Sequence, residues 1–129
     1  MAQLPLEGVR ILSQAIVWAG PYSTLILGDM GAEVIEIEDI HHLSVTRATA
    51  GLRHVPMALM ATPTGSTYVD RDPRGRYWDR RTSFNYAKRN CKSMTVNLTN
   101  PKGRELFFRL VKISDVFIES NMAETVEKL

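Results

Sequence analysis

The sequence has a single cysteine, Cys91, which excludes an internal disulfide, and no partner at a metal-ligand spacing accompanies it. Long apolar runs are also missing. The longest fall well short of the roughly 20 residues that a membrane-crossing helix needs, and Met1-Ala2-Gln3-Leu4-Pro5 lacks the basic start of a leader. The expectation is a cytoplasmic chain with no membrane partner, in which the Asn97-Leu98-Thr99 sequon is without consequence. The Gly-x-Gly-x-x-Gly fingerprint of dinucleotide sites is absent, and Ser44, Ser66 and Ser83 have no Gly-x-Ser-x-Gly surroundings, which removes a serine-hydrolase reading. No internal repeat is visible. Hydrophobic residues at 44% and charged residues at 23% exclude a disordered or fibrous chain. A chain of 129 residues is one domain by prior and buries roughly two thirds of its unfolded surface.

What is present is unevenly charged. The formal net charge is +2, yet residues 70–92 carry Arg71, Arg74, Arg76, Arg80, Arg81, Lys88, Arg89 and Lys92 against Asp70, Asp72 and Asp79. Tyr68, Tyr77, Trp78, Phe84 and Tyr86 are interleaved with them. Three readings are open: a solvated loop with local Asp–Arg pairs, a surface for a polyanionic small ligand, or a nucleic-acid surface. The first is the simplest, and no nucleic-acid motif accompanies the charge. His41-His42 lacks a third ligand, and neighbouring residues on a strand point apart, so surface histidines are expected. Glu33, Glu36 and Glu38 read as the polar edge of a strand rather than as paired acid–base carboxylates.

Periodicity and punctuation give the organisation. Val9, Ile11 and Leu12 open a strand, Gly20-Pro21 turns into a helix from Pro21 to Met30, and Gly31 can end it with φ > 0. A second strand spans Glu33 to Glu38. A long loop insertion, 40–89, follows, punctuated by Gly51, Pro56, Pro63, Gly65, Pro73 and Gly75. A third strand is expected over Met94 to Leu98. Asn100 then caps a helix with Pro101 at its first position, and Leu106, Phe107, Leu110 and Val111 recur at helical spacing through Ile113. A fourth strand covers Val116 to Glu119, and Ala123 to Leu129 starts another helix. The β-α alternation implies an α/β fold of Rossmann-like parallel units with right-handed crossovers. The turn after the first strand is then a natural dock for a nucleotide-like ligand.

Several blocks carry a more particular signal. Leu6-Glu7-Gly8-Val9-Arg10-Ile11-Leu12, Ala19-Gly20-Pro21 and Asp29 to Glu38 resemble the opening of the class III coenzyme A transferases, the CaiB/BaiF family. Asn90, Lys92 and Ser93 before Met94-Thr95-Val96-Asn97-Leu98 are similar to the family's N-x-K-x-S-x-x-L-D-L stretch. Asn100-Pro101-Lys102-Gly103-Arg104-Glu105-Leu106 resembles its T-P-E-G-R-E-L helix start, and Asp115 to Asn121 its A-D-V-x-x-E-N-F strand. Residues 40–82 match little. The resemblance implies the N-terminal part of this family's fold: residues 1–129 form a coenzyme A-binding α/β domain that is incomplete by itself.

It also implies the site. Coenzyme A or acyl-CoA is expected as substrate, with no tightly bound cofactor and no metal, contacted by Val17, Trp18, Ala19, Val96, Thr99, Ser120, Asn121 and Lys128. Ser120-Asn121 stands where members usually have Asn-Phe. Lys128 matches an arginine that meets coenzyme A phosphates; lysine keeps the charge and loses the bidentate geometry. Asp39 replaces a basic residue of some members and would repel phosphate, so no role is carried onto it. In the family an aspartate carboxylate attacks the acyl-CoA thioester, giving a mixed anhydride and then an enzyme-bound CoA thioester. That aspartate is expected outside these residues, so none of them is assigned a catalytic role. The implied reaction moves coenzyme A between an acyl-CoA and a carboxylic acid, in a homo- or hetero-oligomer completed by further chain or a partner subunit, and without nucleic acid. Alternatives are a non-catalytic coenzyme A-binding or assembly subunit of a heteromeric transferase, a racemase of the same superfamily, or an unrelated nucleotide-binding module.

Overall fold

A computed structural model describes residues 3–39, 41, 43–47, 57–121 and 124. Of the expected last helix only Glu124 is among the described residues, and Lys128 and His42 lie outside them. The elements are β1 (Arg10–Gln14), α1 (Ala19–Asp29), β2 (Glu33–Glu38), α2 (Thr82–Ala87), β3 (Cys91–Thr95), α3 (Pro101–Val111) and β4 (Val116–Glu119), with four short 3-10 segments between β2 and α2. The strands form one sheet in the order β3-β2-β1-β4, and every pairing is parallel. The α/β expectation holds.

The two faces of the sheet follow from the register. Ile11 is level with Val34 and Leu12 with Ile35 on β1 and β2; β3 continues the alternation with Cys91 beside Val34 and Met94 beside Ile37. Side chains of one parity, Ile11 and Val34, pack with Ala32, Leu27 and Ile118. Those of the other parity, Leu12 and Ile37, pack with Val96, Leu98 and Phe107. β1 is therefore covered on both sides, as an interior strand of a parallel sheet must be. At the end of α1, Gly31 takes φ 102, and Gly31 N–H donates to the Gly28 carbonyl at 3.0 Å, so the helix ends as the sequence suggests.

Five expectations need correction. The third strand lies at Cys91–Thr95, three residues before Met94–Leu98, because its ladder is fixed by β2, with Val34 level with Cys91 and Glu38 with Thr95. Val96 and Leu98 are buried beyond the strand, packed against Phe107, so their apolar alternation records core packing rather than sheet pairing. The first helix begins at Ala19, ahead of Pro21; proline fits there because first-turn N–H groups have no intrahelical partner. Leu106 is 43% exposed, and the core face of α3 is made by Phe107, Leu110 and Val111. β2 is no polar edge: it lies inside the sheet and its Glu36 is only 2% exposed.

The fifth correction concerns the insertion. Its described part contains α2, and Met60, Tyr68 and Tyr77 form a small core joined by Leu43, Leu59 and Trp78. An isolated bridge joins Tyr68 to Arg81 within it. Six residues of helix are too few to show a helical period in sequence.

Candidate functional site

The chain runs from β1 to β2 and β3 on one side, and β4 then returns to the other side of β1. The crevice outside the carboxyl ends of β1 and β4 is therefore the topological switch point, where open α/β sheets take ligands. Sequence alone places Val17–Ala19 after β1 and Ser120–Asn121 after β4; the pairing of Gln14 with Glu119 sets the two segments side by side. A hydrogen bond links them directly: Ile16 N–H donates to Ser120 Oγ at 3.0 Å.

The turn itself is strained. Val17 has φ 69, a left-handed conformation that a β-branched residue adopts at a cost of about 1–3 kcal/mol and that tends to mark functional sites. Ile16, Val17 and Trp18 are three successive exposed apolar residues, Trp18 at 53%. Trp18 caps α1 without a side-chain hydrogen bond, and the Val17 and Trp18 N–H groups have no hydrogen bond among the described residues. Gly20 lets α1 sit against the end of β1, since a Cβ there would lie 2.2 Å from the Ala15 Cβ. The arrangement offers free backbone donors, a helix N-terminus and apolar surface, which suits phosphate or amide oxygens beside an apolar moiety.

The other predicted residues fall into two groups. Asn121 adjoins the crevice, its N–H donating to Glu119 Oε2 at 2.6 Å. Val96 and Thr99 follow β3, on the same edge of the sheet but two strand spacings from β1, roughly 10 Å. Val96 is buried in the core and its N–H donates to the Glu38 carbonyl at 2.9 Å, so its side chain is not open to a ligand. Thr99 is exposed, with its N–H and hydroxyl both donating to Asn97 Oδ1 at 2.8 and 2.7 Å. Lys128 lies outside the described residues.

Sequence reasoning missed the polar network beneath this edge. Arg47 donates to both oxygens of Glu38 at 2.6 Å and to Asp79 at 2.7 Å, with its guanidinium 3.7 Å from the centre of the Phe84 ring. Burial by itself would raise the Glu38 carboxyl, but hydrogen bonds from Arg47 and Ser93 and the charges of Arg47 and Lys88 outweigh it, and Glu38 is held below the usual carboxylate range. Glu36 pairs with Lys88 at 2.8 Å and accepts from Thr24 Oγ1 at 2.9 Å. Beside them, burial and then the Glu36 charge push the Cys91 thiol up to about 11. No local signal marks Arg47 in the sequence, because its partners are 9 and 32 residues away.

This network bears on the open readings. In dinucleotide sites the acid after the second strand holds a ribose hydroxyl; Glu38 is already committed to Arg47, which disfavours that role. The basic segment is also spoken for. Arg74 pairs with Asp72 at 2.9 Å, Arg76 with Asp79 at 2.7 Å, Arg89 with Asp29, Lys88 with Glu36 and Lys92 with Glu33. Arg71, Arg80 and Arg81 donate to the carbonyls of Met60, Asp72 and Val45. Hydrogen bonds and charge from Arg74 hold Asp72 at about 2. Local pairing is therefore what the charge does. Among the described residues no cluster of His, Cys, Asp and Glu could hold a metal, and no helix is long and apolar enough to cross a membrane. Asp29 pairs with Arg89 and Asp115 accepts from Arg10 N–H at 2.8 Å at the opposite edge of the sheet, so neither is a nucleophile facing the crevice.

Comparison with known proteins gives a consistent picture. The family model described as CoA-transferase family III matches residues 6–129. Succinyl-CoA:glutarate CoA-transferase of Mus musculus is 38% identical over 116 residues, covering 90% of this chain and 21% of that protein. The alpha subunit of succinyl-CoA--L-malate CoA-transferase from Chloroflexus aurantiacus is 34% identical over 126 residues, 98% of this chain and 24% of that protein. Among solved structures, a CaiB/BaiF family protein from Brucella suis superposes with a TM-score of 0.71 at 28% identity, covering 98% of this chain and 28% of the other. The chain spans about a quarter of the length of the relatives it matches.

Proposed function

The chain belongs to CoA-transferase family III, and from that membership we propose that residues 1–129 form the coenzyme A-binding α/β domain of an enzyme that moves coenzyme A between an acyl-CoA and a carboxylic acid. The observation that carries the reading is the switch-point crevice, where the strained Val17 turn and the end of β4 meet through the Ile16–Ser120 hydrogen bond. Val17, Trp18 and Ala19 supply backbone donors and apolar contact, Ser120 and Asn121 line the opposite wall, and Thr99 with the Val96 backbone extends the site along the sheet edge. Lys128 supplies a cation for the phosphates. Coenzyme A is here a substrate, not a resident cofactor.

The chemistry needs a carboxylate nucleophile from residues other than these. Its oxygen attacks the thioester carbonyl, the C–S bond breaks and coenzyme A leaves as the thiolate; the thiolate then attacks the enzyme's side of the mixed anhydride, releasing the first acid and leaving an enzyme-bound CoA thioester. The incoming carboxylate reverses these steps. During the exchange the crevice's part is to keep coenzyme A in place. We further propose a cytoplasmic, dimeric assembly completed by further chain or a partner subunit.

Isothermal titration with coenzyme A and dephospho-coenzyme A tests the binding assignment. Lys128→Ala is expected to weaken coenzyme A binding by about 1–3 kcal/mol, the range for a charge-assisted hydrogen bond; equal affinity in variant and parent removes Lys128 from the site. A second reading, a non-catalytic subunit of a heteromeric transferase, draws support from the relative described as an alpha subunit. Exchange of labelled carboxylate into acyl-CoA by a single purified polypeptide carrying these residues would reject it, and exchange only on addition of a second chain would favour it.

A further inference from the structure

Ser120 touches the turn after β1 and not merely the crevice, and this gives it a role that the binding assignment alone does not. The Ile16 N–H that it accepts, at 3.0 Å, belongs to the residue immediately before Val17, whose φ of 69 is unfavourable for valine. Such a conformation persists only where its surroundings over-determine it. On the helix side Gly20 is pressed against Ala15, with no room for a Cβ. On the strand side Ala15 N–H is held by Ser13 Oγ at 3.3 Å and Ile16 N–H by Ser120. Of these restraints the Ser120 hydroxyl is the one that comes from across the switch point, from the residue after β4.

We propose that Ser120 is a positioning residue: its hydroxyl latches the β1–α1 turn in the strained Val17 conformation, and that conformation presents the Val17 and Trp18 N–H groups, which have no hydrogen bond among the described residues, to coenzyme A. The proposal rests on the coenzyme A reading given above for its ligand, but not for the latch itself. Ser120 acts through the turn, so its contribution to binding depends on the strain at residue 17. Glycine takes φ near +69 without cost, and Val17→Gly therefore makes the latch dispensable.

Two measurements on the full-length protein test this. Hydrogen–deuterium exchange read by mass spectrometry on a peptide spanning residues 13–18 needs no ligand: Ser120→Ala is expected to speed exchange there about tenfold, and Ser120→Thr, which keeps the hydroxyl, to restore the parent rate. Titration with coenzyme A follows a double-mutant cycle. Ser120→Ala is expected to raise Kd about tenfold in the parent and less than twofold in the Val17→Gly background. Unchanged exchange in Ser120→Ala overturns the latch. An equal loss of affinity in both backgrounds overturns it too, since Ser120 would then contact the ligand directly. A parent that does not bind coenzyme A at all counts against the function proposed above, and the exchange measurement still decides the latch.

Discussion

Arg47 holds two carboxylates and an aromatic ring at once, and it does so from within the insertion between β2 and β3. Its side chain is nearly buried, as is that of Glu38, and removing one member of such a set leaves an uncompensated charge. Arg47→Ala is expected to destabilise the fold by about 3 kcal/mol, at the low end for a broken buried pair, read as a shift in denaturant midpoint at pH 7. Titration adds a second signature. The Glu38 carboxyl is held low in the folded state, so the folded protein binds fewer protons there than the unfolded chain does. Its contribution is fully present above the unfolded value of about 4.3 and is lost as pH falls through the lower folded value. Stability should therefore drop between pH 5 and pH 3 in the parent, as followed by denaturant melts, and drop less in Arg47→Ala. Identical pH slopes would show that Arg47 does not hold Glu38 ionised.

Among the elements, α3 is the one whose start was most legible. Asn100 and Pro101 form a cap and a first helical residue in sequence, and Asn100 Oδ1 accepts from Lys102 N–H at 2.9 Å. Asn100→Ala is expected to cost about 1 kcal/mol with no change in coenzyme A affinity; an unchanged melting midpoint would move the helix start elsewhere. β3 was less legible, because Met94, Val96 and Leu98 alternate as a strand would while only Met94 is in the ladder. A pattern of burial has the same period whether it comes from a sheet or from an extended segment packed on a helix. α2 left no readable pattern in its six residues, and its place is set by Lys88 reaching Glu36.

For the whole molecule, the exposed apolar residues are grouped. Trp18, Tyr22, Ile26 and Met30 form one stripe along α1, and Val116 and Phe117 lie on the edge strand β4. Spacings of four residues put the first group on one helix face, and apolar edge strands and patches promote association. The 129 residues expressed alone are expected to associate in a concentration-dependent way in analytical ultracentrifugation; a monodisperse monomer across the accessible range would show that these surfaces need no cover.

The sequence by itself determined the β-α order, the bounds of β2 and β4, the closure of α1 at Gly31 and the cap of α3, because each depends on residues within a few positions of one another. The family resemblance was equally local, carried by short blocks in order. Only the tertiary structure decided that β4 returns beside β1, that Ser120 meets Ile16, that Arg47 takes up Glu38 and Asp79, and that Arg89 and Lys92 reach Asp29 and Glu33. Those contacts join residues 9 to 104 positions apart, and no local propensity encodes which distant side chain fills a strand's neighbouring place. The strain at Val17 has the same origin: valine has no preference for that conformation, and it is imposed by the strand, helix and β4 that surround it.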